Sequence, residues 1–304
     1  MPTVSLEDVT RHYGTLRALA SVSLQAEAGE VLALAGHNGA GKTTLLKLLL
    51  GLIRPTGGRI QVLGEDPARG SAAIRRRVGY LPEQLAFSPA LSGRELLRFY
   101  LGLRGIEASR DQTLLTRVGL EGAADRRVNT YSKGMRQRLG LAQAIAAAPE
   151  VLLLDEPTTG LDPELRRQFY GIIRDLAAAG TTVILSSHAL AELESQADRI
   201  VILHHGRKIA DGDLDSLRTL AQLPARVRLT AAPEYVDALH HLLAASVPAV
   251  RKTGSMLEFD TDSAGKRALL QRLGIQDPRL IDIDFTHPSL DALYAHFLAT
   301  SPAP

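Results

Sequence analysis

The chain has 304 residues, about twice the usual span of one domain, so two domains are expected. Apolar residues make up 45% and charged residues 22%, which excludes disordered, collagen-like and low-complexity classes. A net charge of +2 is too balanced to point to nucleic acid, and the lack of cysteine removes disulfide frameworks, thiolate zinc sites and thiol nucleophiles.

In chain order, residues 1–8 show neither a basic segment nor an apolar core, so no secretory signal is expected. Short apolar runs at 31–35, 151–154 and 182–186 predict strands buried on both faces of a mostly parallel sheet. Between them, helical periodicity predicts helices over 42–52, 93–103, 133–147 and 164–178. The run Arg75-Arg76-Arg77 reads as a solvated lead into a strand, and 201–204 with 208–211 as a hairpin. No run of about 18 uncharged apolar residues occurs, so a membrane span is not expected. The chain is expected in the cytoplasm, and any membrane role must come through a partner.

Residues 213–224 read as a helix and a break, after which the texture changes. Strand, helix, two strands, helix, strand follow at 226–230, 233–245, 249–252, 256–260, 263–273 and 280–285, with a last helix at 289–298. That order is the split βαβ pattern of ferredoxin-like domains. Leu242, Leu257, Leu269, Ile281, Ile283 and Leu293 are its expected core, with Ile281, Ile283 and Phe285 on one strand face.

Chemistry is concentrated in three segments. Gly36-His37-Asn38-Gly39-Ala40-Gly41-Lys42-Thr43 follows a strand and opens a helix, matching GxxxxGK[ST] in the context that motif requires. Its backbone amides suit phosphate, Lys42 would neutralise the β- and γ-phosphates, and the Thr43 hydroxyl would hold Mg²⁺. Asp155 ends the apolar run from Val151 and is placed to reach Mg²⁺, while Glu156, one position on, is a candidate general base for water. Ser132 and Gly134 begin a helix after Tyr131, forming a second anion-binding N-terminus.

With these three elements the chain resembles the ATP-binding subunits of ABC transporters, whose LSGGQ signature it matches at Ser132 and Gly134 and leaves at Tyr131, Lys133 and Met135. The resemblance implies a P-loop α/β fold. It has a mostly parallel sheet, an antiparallel β subdomain, a helical subdomain at roughly 85–148, and a small α+β C-terminal domain. The ATP-binding domain would span 1–219, and 220–304 would be a regulatory or dimerisation domain.

The resemblance further implies two composite ATP sites in a head-to-tail homodimer. ATP would be held by Tyr13, stacking on adenine, by the loop residues Gly36 to Lys42 with Thr43 and Thr44, and in trans by Ser132, Gly134 and Asp162. His188 would contact the γ-phosphate and act with Glu156, and Mg²⁺ would be bound by Thr43, Glu83 and Asp155. Glu83 stands where the family has a glutamine after Pro82, and Gln84 is its one-residue alternative.

Integral membrane subunits on the cytoplasmic face of the membrane are the implied partners. The passages Gly36–Thr44, Leu91–Glu95 and Thr130–Gln143 are similar to the ATPase of the copper-maturation transporter for nitrous-oxide reductase, which would add a periplasmic accessory protein. The pairs His204-His205 and His240-His241 are spaced for solvated surface rather than chelation, so copper would be handled without being bound here. The rival reading is a soluble ABC ATPase acting on DNA or ribosomes. It needs long coiled coils before the signature or a second phosphate loop, and neither occurs.

Overall fold

The computed structural model describes residues 1–245, 247, 249–273 and 277–301. They form two compact units, Met1–Asp213 and Leu214–Thr300.

In the first unit β1 (Val4–Tyr13) and β2 (Leu16–Ala26) pair antiparallel, and β3 (Val31–Ala35) leads into α1 (Lys42–Leu49). β4 (Gly57–Val62) joins β1, and α2 (Ala72–Arg77) runs into β5 (Val78–Leu81). Helices α3 (Gly93–Leu103), α4 (Arg110–Arg117) and α5 (Lys133–Ile145) form the helical region. Then β6 (Val151–Asp155), α6 (Pro163–Ala178), β7 (Thr182–Ser187) and α7 (Leu190–Gln196) lead to the hairpin of β8 (Arg199–His204) and β9 (Arg207–Gly212).

Two sheets result, an antiparallel one of order β2-β1-β4 and a six-stranded one of order β5-β6-β7-β3-β8-β9. All neighbours in the larger sheet are parallel except β8 and β9. Every residue of β3, β6 and β7 is buried, which is why these strands read as unbroken apolar runs rather than as alternation. Leu45, Leu46, Leu48 and Leu49 of α1 pack with Leu32, Leu34, Leu153 and Ile184 in one core, each burial contributing roughly 1.5–3 kcal/mol.

Helix ends depart from expectation for local reasons. α1 stops at Leu49 because Gly51 takes φ 68°, where an added Cβ would lie 2.0 Å from the Pro67 carbonyl oxygen. α5 stops at Ile145 ahead of Ala148, whose φ of 47° precedes Pro149. Arg75, Arg76 and Arg77 form the last turn of α2 rather than a lead into a strand; Ser71 caps that helix by accepting from the Ile74 amide. Arg77 donates to Glu150 at 2.5 and 2.8 Å, and that bond holds the Glu150 carboxyl below its usual range.

The second unit opens with α8 (Leu214–Ala221) and continues as β10 (Ala225–Ala231), α9 (Val236–Ala244), β11 (Arg251–Thr253), β12 (Met256–Thr261), α10 (Ser263–Leu273), β13 (Leu280–Thr286) and α11 (Leu290–Thr300). Its sheet is antiparallel with order β11-β12-β10-β13, the split arrangement that the element order predicts. Val227, Leu229, Leu239, Leu243, Leu257, Phe259 and Leu269 make the core, and Leu293 is buried on α11.

Two core assignments fail. Leu242 is 37% exposed because α9 turns Val236, Leu239 and Leu243 inward. Ile281 is 66% exposed because the pairing of β10 with β13 shifts between Thr230 opposite Asp282 and Ala231 opposite Leu280. The bulge leaves Ile281 as the extra residue and brings Leu280 to the core beside Ile283 and Phe285.

Candidate functional site

The phosphate loop is held between two walls of backbone. Gly41, the N-cap of α1, has φ 109°, and a Cβ there would sit 2.8 Å from the Ala18 carbonyl oxygen and from Leu19 Cδ2. The Gly206 amide donates to the Ala40 carbonyl at 3.0 Å, so the β8–β9 turn braces the loop from the other side. α1 has no side-chain N-cap and no acidic residue in its first turn, leaving an electropositive helix end at the loop.

Lys42 is only 6% exposed. Its ammonium donates to the Gly36 carbonyl at 2.5 Å and lies 3.4 Å from Glu156 Oε1. Thr43 Oγ1 donates to Asp155 Oδ1 at 3.2 Å. The same carboxylate oxygen accepts from Ser186 Oγ at 2.7 Å, and Ser186 Oγ accepts from the Glu156 amide at 2.9 Å. Glu156 adopts φ 46°, uncommon for a non-glycine residue, at the point where the chain leaves β6. Its Oε2 lies 2.7 Å from His188 Nδ1 and accepts from the His188 amide at 3.3 Å.

These groups open onto a cleft of about 360 Å³ lined by Tyr13, the loop from His37 to Thr44, Glu83, Glu156, His188 and His205. Tyr13 is 42% exposed, with the Arg11 guanidinium 4.5 Å from its ring centroid. Glu83 lines the cleft and Gln84 does not. Burial, then the charges of Asp155 and Glu83, push the nearby Tyr80 phenol up to about 12, so it stays a neutral donor.

Thr43, Asp155 and Glu83 offer hydroxyl and carboxylate oxygens, a hard donor set that fits Mg²⁺ completed by phosphate and water. Among the described residues no cluster of three or more His, Cys, Asp or Glu could hold a metal by itself. Glu83→Gln is expected to keep ATPase activity, since an amide oxygen could still be offered to Mg²⁺, whereas Glu83→Ala should lower it; wild-type activity of the alanine variant would favour Gln84 or a solvent role for Glu83.

The structure does not bring Ser132, Gly134 and Asp162 to this cleft. Ser132 caps α5, accepting from the Met135 amide at 3.2 Å, and Asp162 caps α6, accepting from the Leu165 amide at 2.9 Å. Tyr131, one of the three departures from the signature, is 3% exposed and donates to the Ala123 carbonyl at 2.7 Å, so it packs the helical region.

Two residues, Ser186 buried behind the cleft and His205 lining it, were not foreseen. Ser186 orients Asp155 and the Glu156 backbone; the signal was a hydroxyl pair, Ser186-Ser187, ending an otherwise apolar strand. His205 was expected on plain surface facing away from His204. It instead sits in the turn at φ 46°, with the two rings 4.1 Å apart, and lines the cleft.

The sequence profile of the ABC transporter family matches residues 19–159. The chain is similar to the daunorubicin resistance ATP-binding protein DrrA3 of Streptomyces coeruleorubidus, 36% identical over 303 residues, covering 96% of this chain and 95% of that one. It is also similar to the bacitracin transport ATP-binding protein BcrA of Bacillus licheniformis, 36% identical over 220 residues and covering 71% of each chain. A dimeric ATP-binding cassette in a post-hydrolysis state, bound to ADP and Pi, superposes with a TM-score of 0.65 at 27% identity, covering 69% of this chain and 98% of that chain. These names give copper maturation, and the periplasmic accessory protein that it would bring, no support.

Proposed function

The chain belongs to the ATP-hydrolysing subunits of ABC transporters, and from that premise we propose that it drives export of an organic molecule by closing head to tail on a second copy. The observation that carries the export reading is the likeness to the daunorubicin resistance protein, which runs through both compact units. No helix among the described residues is long and apolar enough to cross a membrane, and the membrane subunits of a transporter are the partners this reading gives the chain.

The composite site follows from placement. Lys42, Thr43, Glu156 and His188 face one cleft, with Asp155 buried behind Thr43 and bonded to it, while the α5 N-terminus lies outside the cleft and is free to cover a nucleotide on another copy. When bound, Mg²⁺ would offset phosphate charge beside Thr43, Asp155 and Glu83. Lys42 exchanges the Gly36 carbonyl and Glu156 for phosphate oxygens, which releases the Glu156 carboxylate to accept a proton. The water oxygen bonds to the γ-phosphorus as the bond to the ADP oxygen breaks, with His188 orienting the reacting groups. Closing on ATP and opening after hydrolysis is the motion passed to the membrane subunits.

For the second unit we propose a contact between copies. The outer face of its sheet sets Arg228 opposite Asp284 and pairs Arg226 with Asp260 and Arg228 with Glu258, a pattern of opposite charges that a two-fold copy can complement. A chain ending at Asp213 should bind ATP as the full chain does and associate more weakly without it. Light scattering on both without nucleotide checks this, and an unchanged state would remove the contact.

Export is tested with inside-out vesicles carrying the chain and the membrane protein that copurifies with it. ATP-dependent accumulation of daunorubicin, lost in Glu156→Gln, is the expected result. Accumulation that ignores ATP, or ATP-driven uptake of Cu⁺ instead, would overturn it.

A further inference from the structure

A second polar cluster lies behind the cleft, centred on Glu192 of α7. Its carboxylate accepts three bonds: from Thr158 Oγ1 at 2.9 Å, from Arg166 Nη1 at 2.5 Å and from Tyr170 OH at 3.3 Å. Thr158 and Tyr170 are each 5% exposed, and burial raises the Tyr170 phenol, which keeps it a donor. Arg166 also donates from Nε to the Leu161 carbonyl at 3.1 Å. Glu192 therefore fastens α7 both to α6 and to the connection that leaves β6 after Glu156.

The sequence offsets make the arrangement informative. Thr158 stands two residues after Glu156, and Glu192, in the first turn of α7, stands four residues after His188. The same two chain segments are thus bridged twice, once by Glu156 with His188 and once by Thr158 with Glu192. α7 has only seven residues and no side-chain N-cap, so its own first turn does little to fix where it begins. His188 itself is largely open, its side chain 55% exposed, and its imidazole meets the Glu156 carboxylate.

The geometry points to Glu192 as a positioning residue for hydrolysis: through Thr158 and Arg166 it sets the start of α7, and so holds the His188 imidazole against Glu156. This rests on the reading of Glu156 and His188 as the hydrolytic pair. A carboxylate with three donors on two elements fixes both separation and rotation, which a single contact would not. Loss of one donor lets α7 shift, and small misplacement of a reacting group costs rate more than affinity.

The test uses the full chain carrying Thr158→Val, which removes the hydroxyl at nearly constant volume, Thr158→Ser, which keeps it, and Glu192→Gln. Thr158→Val and Glu192→Gln should lower kcat by about 10-fold with KM for ATP held within about twofold, and Thr158→Ser should restore kcat. The imidazole ¹⁵N signals of His188, assigned with His188→Gln, should move in Thr158→Val toward their position in Glu156→Gln. That signal is read without turnover, so it remains decisive if Glu156→Gln proves active and the hydrolytic reading itself fails. An unmoved His188 signal in Thr158→Val, or unchanged kcat in that variant, would overturn the positioning role; should Glu192→Gln fail to fold, the two Thr158 variants carry the test alone.

Discussion

Glu156→Gln is expected to lower ATP turnover by at least about 100-fold while ATP binding persists. The amide preserves the shape of the side chain and one oxygen for the His188 amide, which now reaches Glu156 Oε2 at 3.3 Å. It cannot take a proton from water at neutral pH. The substitution also removes a negative charge beside Lys42, 3.4 Å away, so the approach of phosphate meets less repulsion and Lys42 is easier to recruit. Slow hydrolysis with intact binding should trap the closed form. Gel filtration with light scattering should show a dimer with ATP in the variant and mostly open chains in the wild type. Wild-type turnover in Glu156→Gln would remove it as the base and leave His188 to be examined.

Lys42→Ala should fail earlier, at binding. The ammonium is almost fully buried yet makes its contacts to groups that a nucleotide would replace, the Gly36 carbonyl and Glu156. A charge-assisted hydrogen bond of this kind contributes roughly 1.5–3 kcal/mol, so ATP affinity should fall about 10- to 100-fold by calorimetry. Without nucleotide the variant also leaves the Glu156 carboxylate, 10% exposed, with His188 as its remaining partner. A lower melting temperature in the absence of ATP is the expected companion effect. Unaltered affinity would mean that the helix N-terminus and loop amides suffice without the side chain.

Much of the cleft could be read from the sequence because its chemistry depends on short segments with fixed local geometry. The strand, loop and helix around Lys42 must fold as they do for the glycines to make sense, and Asp155 ends a run of buried residues that only a strand accommodates. Ser186 and Glu192 were harder to see. Each acts by meeting a residue about 30 positions away, and neither belongs to a spacing pattern that announces it. His205 escaped notice because its orientation is set by a left-handed turn residue rather than by strand alternation. In the second unit the order of elements was legible from periodicity, and Ile283 and Phe285 keep the expected face, but a one-residue bulge turns Ile281 outward and brings Leu280 in. Register of that kind is decided by the partner strand and leaves no mark in the strand's own sequence.

The central claim is that each hydrolytic site takes its phosphate loop from one copy and its signature helix from another. Chains carrying Lys42→Ala and chains carrying Ser132→Asp test it together. Aspartate keeps the N-cap role at α5, because it too accepts from the Met135 amide, but it sets a negative charge against phosphate. Each variant alone should lose ATPase activity. In a mixture, a dimer of one chain of each kind holds one site with both defects and one with none, so about a quarter of wild-type activity should return at equal proportions. Activity in the mixture no greater than the sum of the separate variants would contradict the composite site.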